Sequence, residues 1–347
     1  MKILKFLFLS ILFVGLYSCS STEDGGDAAV VNSITITPSM ESQTVGNEIT
    51  FVVKTDANVD VTSAATIAIG NTVVTNGTFS TSTPGNYTVT ANYSGKSAST
   101  TVSFVEGPSI SFTKRVLIED YTGTWCGYCP RVSQGLDLVA AQTDKAVPVA
   151  IHRGNDPYNF SAAGVLENLI GLQGYPTAML NRMTDWAYPE PNNVNQVVAL
   201  TDGTLPKVGM AMTATVSGGN VNLTVKAKFG KAMTGTKLVV YVLENGLIYD
   251  QVNYTSYFGG GSTIPGFTHN HVLRATYTNI LGDDIPEAES VFDNVYTKTY
   301  TVAVPSNIAN AANMEFVAFV VGADKKAINV RKAVSGDDQS FEVVAAK

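Results

Sequence analysis

The chain has 347 residues, 45% of them hydrophobic and only 15% charged. That is long enough for two or three domains with cores of their own, and too apolar for a disordered chain. A balance of 22 basic against 29 acidic residues gives a net charge of -7 with no basic run, which excludes the electrostatic footprint that nucleic-acid binding requires.

The first residues read as an address. Lys2 and Lys5 form a positive n-region, and Phe6 to Leu16 is an apolar run too short to span a bilayer, so residues 1–18 are expected to be a secretory signal peptide. The run ends in Leu16-Tyr17-Ser18-Cys19, which resembles a bacterial lipobox and implies Cys19 as the lipidated first residue of the mature protein. Residues 19–29, with Glu23, Asp24 and Asp27, have the composition of a flexible tether. Acidic residues directly after the cysteine resemble an export signal of Bacteroidetes-type lipoproteins. This implies a protein anchored by lipid in the outer membrane and exposed at the surface, with the periplasmic face as the alternative.

Residues 30–107 alternate apolar and polar positions over short runs such as Ser33–Thr37, Glu48–Val53, Thr66–Ile69, Asn86–Thr90 and Thr100–Val105, separated by turn signals at Gly70-Asn71, Asn76-Gly77 and Pro84-Gly85. The pattern predicts an Ig-like β-sandwich without Cys or His, a spacer or docking module free of chemistry.

Residues 108–202 carry the chemistry. Arg115 to Tyr121 is a short, largely apolar run rich in branched residues, as expected of a strand covered on both faces. It leads into Trp125-Cys126-Gly127-Tyr128-Cys129-Pro130, after which Val132, Leu136, Val139 and Ala140 recur at helical spacing, with Pro130 suited to the first helical turn. Strand Ala146–Ile151, helix Ser161–Leu172, turn Gly174-Tyr175-Pro176-Thr177 and strand Ala178–Leu180 follow. A thiolate at Cys126 would face the free N–H groups of the helix, which lower its pKa and make it the nucleophile; Cys129, one turn on, could resolve a mixed disulfide.

This order of strand, helix, strand, helix, proline turn and strand is that of the thioredoxin fold. Leu117 to Pro130 together with Gly174-Tyr175-Pro176-Thr177 resembles the thioredoxin-like core of the outer membrane protein 28 family of Bacteroidetes lipoproteins. Phe267-Thr268-His269-Asn270-His271-Val272-Leu273-Arg274 looks like a further family stretch. The resemblance implies a buried acid at Asp120, six residues before Cys126, that shuttles the proton of the second cysteine. Glu119 is its rival, because a one-residue slip of register exchanges the two faces. It also implies that Tyr175-Pro176 is a cis-proline turn facing the disulfide, and that Trp125 and Tyr128 flank the substrate. Simpler roles stand beside these: a purely structural disulfide, a zinc-ligating pair, carboxylates that merely end a strand, a trans proline, and a hydrogen-bonded structural histidine at His152. Trp186, Tyr188 and Pro189 to Pro191 are expected to cover a domain boundary.

Residues 203–347 are strand-rich again, with Met210–Val216, Asn222–Lys228, Lys237–Leu243, Thr299–Val304 and Met314–Val321 as the best strands. They predict a C-terminal β-sandwich of jelly-roll type. Tyr249 to Asp284 reads as a long connection with exposed aromatic residues, the kind of loop that often binds. Its His269 and His271 alternate and could share a metal with a carboxylate, whereas Asp283-Asp284 and Asp337-Asp338 read as solvated turns. No metal or other cofactor is required by any motif.

The expected fold class is thus multidomain α+β: an N-terminal Ig-like sandwich, a central thioredoxin-like α/β domain and a C-terminal sandwich. Two functions compete. One is a thiol-disulfide oxidoreductase or isomerase acting on envelope or extracellular proteins that carry thiols or disulfides. The other is a non-enzymatic surface lipoprotein that binds a protein or glycan and keeps Cys126–Cys129 as a brace.

Overall fold

A computed structural model describes residues 30–345. The expected signal peptide, the lipidation site Cys19 and the tether to residue 29 lie outside the described residues. The chain divides into two compact units, one up to Gly107 and the other from Pro108.

In the first unit, strands β1 (Ile34–Pro38), β2 (Ser42–Thr44), β3 (Ile49–Thr55), β4 (Thr66–Ile69), β5 (Thr72–Val73), β6 (Thr78–Phe79), β7 (Gly85–Tyr93) and β8 (Lys96–Val105) form two sheets, ordered β1-β3-β6 and β2-β8-β7-β4-β5. Alternation decides the core. Ile49, Phe51 and Val53 of β3 turn inward with Val89, Ala91, Val102 and Phe104, while Thr50 and Val52 stay outside.

The second unit contains β9 (Ser111–Phe112), β10 (Val116–Thr122), α1 (Pro130–Ala140), β11 (Ala146–His152), α2 (Gly164–Ile170), β12 (Thr177–Leu180), β13 (Thr184–Asp185), α3 (Val194–Ala199), β14 (Val208–Ser217), β15 (Asn220–Phe229), β16 (Lys237–Glu244), β17 (Leu247–Val252), β18 (Thr263–His269), β19 (Val272–Thr276), β20 (Asp283–Asp284), β21 (Val295–Ala303), β22 (Met314–Val321), β23 (Ala327–Val334) and β24 (Val343–Val344). Its backbone is one nine-stranded sheet ordered β13-β12-β10-β11-β19-β16-β22-β23, with β20 beside β16. β10 lies parallel to β11 and antiparallel to β12, and β19 joins β11 through Ala150 and Val272.

One face of the sheet presents Leu117, Tyr121, Val147, Val149 and Ile151 with Val239, Tyr241 and Phe319, covered in part by Leu166 of α2. The other face is divided. Val116, Ile118, Ala178 and Leu180 pack under Val132 and Val139 of α1 and Val197 of α3. Leu238, Val240, Phe316 and Ala318 pack under the separate β14-β15-β21 sheet. Burying Val132 and Val139 alone stabilises α1 against the sheet by roughly 1.5–3 kcal/mol each.

The expected fold class does not hold. Strand makes up 45% of the structure and helix 12%, so the chain is mostly β with several sheets, not α+β with a central thioredoxin-like α/β domain. The physical reason is long-range pairing. β19 docks against β11, so that β16, β22 and β23 continue the sheet begun by β10. What reads as an α/β domain and a separate C-terminal sandwich therefore shares one sheet. The presumed connection Tyr249–Asp284 supplies two strands of that sheet, β19 and β20, together with β18 and most of β17, which form a two-stranded sheet of their own.

A buried charge cluster ties these segments together. Arg182, after β12, places Nη2 3.3 Å from Glu119 Oε1 and 2.6 Å from the Tyr241 hydroxyl, which in turn donates to Glu119 Oε1 at 3.0 Å. All three side chains are buried, so removing one partner strands a charge in the core. Arg182→Met is expected to cost about 3–5 kcal/mol in urea unfolding, and adding Glu119→Gln should recover much of that loss. A loss below about 1 kcal/mol would show the cluster to be incidental.

Candidate functional site

The Trp125–Pro130 stretch spans the gap between β10, which is buried at all seven positions, and α1. Cys126 and Cys129 form a disulfide, Cα to Cα 5.4 Å. A tight turn holds the pair: the Cys126 amide donates to Gly123 O at 3.0 Å and the Cys129 amide to Cys126 O at 3.2 Å. Cys129 takes up helical dihedrals as the cap of α1, with Pro130 following at the first turn.

Both sulfur-bearing residues are shielded, Cys126 at 4% and Cys129 at 1% exposure. A strap from β17 to Phe258, within the segment that sequence reading treats as a connection, is bonded to the peptide groups of this turn. The Val252 amide donates to Thr124 O at 2.8 Å and the Tyr254 amide to Gly127 O at 2.7 Å. The Gln251 side-chain amide donates to Gly123 O at 3.2 Å and Cys126 O at 3.0 Å. A Cβ on Gly127 would lie 2.2 Å from Tyr254 Cδ2, so only glycine admits the Tyr254 ring here. The signal for this strap in the sequence is its run of tyrosines; its partner is invisible there.

The two carboxylates of β10 point to opposite faces. Glu119 belongs to the Arg182 cluster. Asp120 faces α1; it is 2% exposed, and its Oδ1 has no hydrogen-bond partner. Burial pushes the Asp120 carboxyl well above the usual carboxylate range, and the negative charge of Glu190 adds to this while Arg131 opposes it. Arg131 is itself paired with Glu190 at 2.5 Å.

Tyr175-Pro176 is a cis peptide. The Tyr175 ring meets Trp125 edge to face at 5.4 Å, and its hydroxyl donates to Glu167 Oε1. Burial, with Glu167 beside it, pushes Tyr175 up to about 12. Trp125 donates Nε1–H to Arg153 O at 2.7 Å and stays 42% exposed; Tyr128 is 55% exposed and packs against Tyr254, itself 65% exposed. Trp186 is buried under α1 and donates to Asn193 O.

The three histidines border one cavity but engage different partners. His152 is buried with Nδ1 3.1 Å from Asp156 Oδ2, an oxygen that also accepts the Thr124 amide at 2.6 Å. Burial alone would raise Asp156; the contacts with His152, Thr124 and Tyr158 outweigh it and hold the carboxyl below its ordinary range. His269 lies 5.2 Å from His152, centroid to centroid, and burial followed by repulsion from His152 brings it down to about 4. His271 turns away to Glu315 Oε1 at 2.9 Å. Sequence spacing placed His269 and His271 on one face; the bend at His271, with φ of 57°, separates them. Asp156, Gln251 and Tyr254 were missed because each reaches the motif from outside its local pattern.

No curated protein matches the chain. Among solved structures, HBP35 of Porphyromonas gingivalis aligns with a TM-score of 0.52 at 18% identity, covering 68% of this chain and 81% of that one, a likeness of fold alone. A domain of the outer membrane lipoprotein Omp28 from Porphyromonas gingivalis shares 24% identity over 40% of this chain and 95% of its own, with a TM-score of 0.25. Among the described residues no helix is long and apolar enough to cross a membrane. The model of the family described as outer membrane protein Omp28 matches residues 163–339, more than half of the chain; this protein belongs to that family, and its place is the outer membrane.

Proposed function

We propose that the protein is a non-enzymatic binding lipoprotein, held at the outer membrane through Cys19 and facing outward, in which the Cys126–Cys129 disulfide braces a binding surface. The observation that carries this reading is the burial of both cysteines beneath a strap bonded to the peptide groups of the motif itself. A nucleophile that must meet a partner's sulfur needs an open approach; here both cysteines are buried, and Gln251, Val252 and Tyr254 are bonded to the peptide groups around Cys126. The braced turn instead presents Trp125, Tyr128 and Tyr254, with Tyr249 and Ile248 exposed further along the strap. Rigid aromatic groups on a fixed turn suit the face of a sugar ring or an apolar protein patch, because they lose little conformational entropy on binding.

A second reading has its own support. The disulfide precedes an 11-residue helix, and the unpartnered Asp120 sits in the strand that leads to it. If the strap lifts, reduced Cys126 would attack an envelope protein's disulfide, releasing one of its sulfurs as thiolate and holding the other in a mixed disulfide; Cys129 would then attack Cys126 Sγ and expel that second thiolate, closing the pair and leaving the partner with two thiols. An unidentified dithiol reductant would have to reopen the pair after each turnover.

Two measurements separate these readings. Incubated natively with glutathione buffers, residues 20–347 are expected to keep the disulfide, giving it up only when denaturant is added; ready reduction, with mixed disulfides trapped by Cys129→Ser, favours the enzyme. Tyr254→Ala should speed native reduction by about tenfold or more, since the opening free energy falls by about 1.4 kcal/mol for each factor of ten. For the surface, Trp125→Ala and Tyr128→Ala should each change stability by no more than about 1 kcal/mol while abolishing retention on immobilised glycans or envelope proteins that hold the unaltered chain. Equal retention by all three proteins places binding elsewhere.

A further inference from the structure

Between α1 and the β17–β18 hairpin the divided face of the large sheet is left uncovered, and a cavity of about 520 Å³ fills the gap. Its floor is Asp120 and Thr122 of β10 with Pro148, Ala150 and His152 of β11; Leu136, Asp137 and Ala140 of α1 form one wall, and Phe258, Phe267 and His269 the other.

The charge in this cavity is one-sided. Asp120 Oδ1 is buried and unpartnered. Asp137, on the exposed side of α1, makes no hydrogen bond through its side chain, and loss of hydration at its partly buried site raises its carboxyl. No lysine or arginine lines the space, and the nearby guanidinium of Arg131 is taken by Glu190. His152 is engaged by Asp156, and His269 is close to Tyr249 O. Among the described residues no group of three or more His, Cys, Asp or Glu side chains is arranged to hold a metal ion. His271, also at the wall, is paired with Glu315, and the rest of the lining mixes the uncharged polar groups of Ser133, Gln251, Thr268 and Asn270 with apolar ones, among which Phe258 and Phe267 meet edge to face at 5.3 Å.

A buried acceptor without a donor is costly and rare. Here it opens onto a space that excludes cations of the protein's own and offers aromatic rings and methylene-sized contacts instead. An ammonium group on a short apolar stem fits each of these features. The ammonium charge would offset the burial that raises the Asp120 carboxyl, so that the acid gives its proton to solvent on binding; the N–H groups would then satisfy the carboxylate, and the stem would lie against Leu136, Ala140 and the phenyl rings.

We propose that this cavity binds an organic cation, a primary ammonium on an apolar stem, with Asp120 as its buried counter-ion and Asp137 at the mouth. The site lies apart from the exposed aromatic surface proposed above, and does not depend on that reading.

The test uses residues 20–347 with n-butylammonium chloride as probe and 1-butanol as its uncharged counterpart, followed by calorimetry and by backbone NMR shifts. Saturable butylammonium binding is expected, with butanol at least about tenfold weaker. Asp120→Asn should weaken the ammonium by about tenfold, or about 1.4 kcal/mol, and leave butanol unchanged; Asp137→Asn should weaken it a few-fold. Asn has the shape of Asp, so a melting curve at least as stable as the unaltered protein is expected for Asp120→Asn. Should that variant fail to fold, the Asp137 variant and the butanol comparison decide. Equal affinity for amine and alcohol, no saturation by the amine, or an unchanged affinity in the carboxamide variants overturns the proposal.

Discussion

Strand Val116–Thr122 is the constraint on which the second unit depends. All seven residues are buried, and the strand is paired on both edges, parallel to Ala146–His152 and antiparallel to Thr177–Leu180. A doubly covered strand leaves no solvent-facing side for a polar residue, so each of its carboxylates must find compensation inside the protein. Side chains alternate faces with a period of two. Neighbouring residues Glu119 and Asp120 are thereby sent into different environments, one against Arg182 and Tyr241, the other toward α1 and the cavity beneath the hairpin.

That alternation explains what was legible in the sequence. The apolar run before the cysteines, the helix after Pro130 and the proline turn at Tyr175-Pro176 are all written in neighbouring residues, and each has an element or a turn at its expected place. Register is a different matter. Which of Glu119 and Asp120 faces the helix depends on where the pleat begins, and a single position reverses the answer. Arg182 gave no warning either, since an arginine in a turn after a strand is ordinarily solvated. Its burial follows from Tyr241 and Ile280, which lie 59 and 98 residues further along the chain.

The fold class escaped for a related reason. Gly259-Gly260-Gly261 and the Pro265-Gly266 pair interrupt the alternation between Tyr249 and Asp284, so the segment reads as a connection. Yet β19 and β20 form there because their partners are already in place: Ala150 for Val272, and the Lys237–Glu244 strand for the rest of β19 and for β20, while β17 and β18 pair with each other as a hairpin. Tertiary pairing overrides weak local preference, as strand propensity generally allows. The consequence is large, because β19 is the link that makes one sheet of what would otherwise be two domains.

The same segment sets the character of the cysteine pair. A disulfide across two intervening residues closes too short a loop to contribute much to global stability through chain entropy. Its effect is local: it fixes the peptide groups of Thr124, Cys126 and Gly127 in an array that Gln251, Val252 and Tyr254 can engage together. Absence of a side chain at Gly127 lets the Tyr254 ring close over the turn, and the hairpin continuing from that strap roofs the space above Asp120. Cysteine pair, strap and unpartnered carboxyl are thus mechanically linked through one chain segment. The strap thereby holds the motif's peptide groups on one side and lines the cavity onto which Asp120 opens on the other, through Gln251 and Phe258, while the aromatic rim faces solvent.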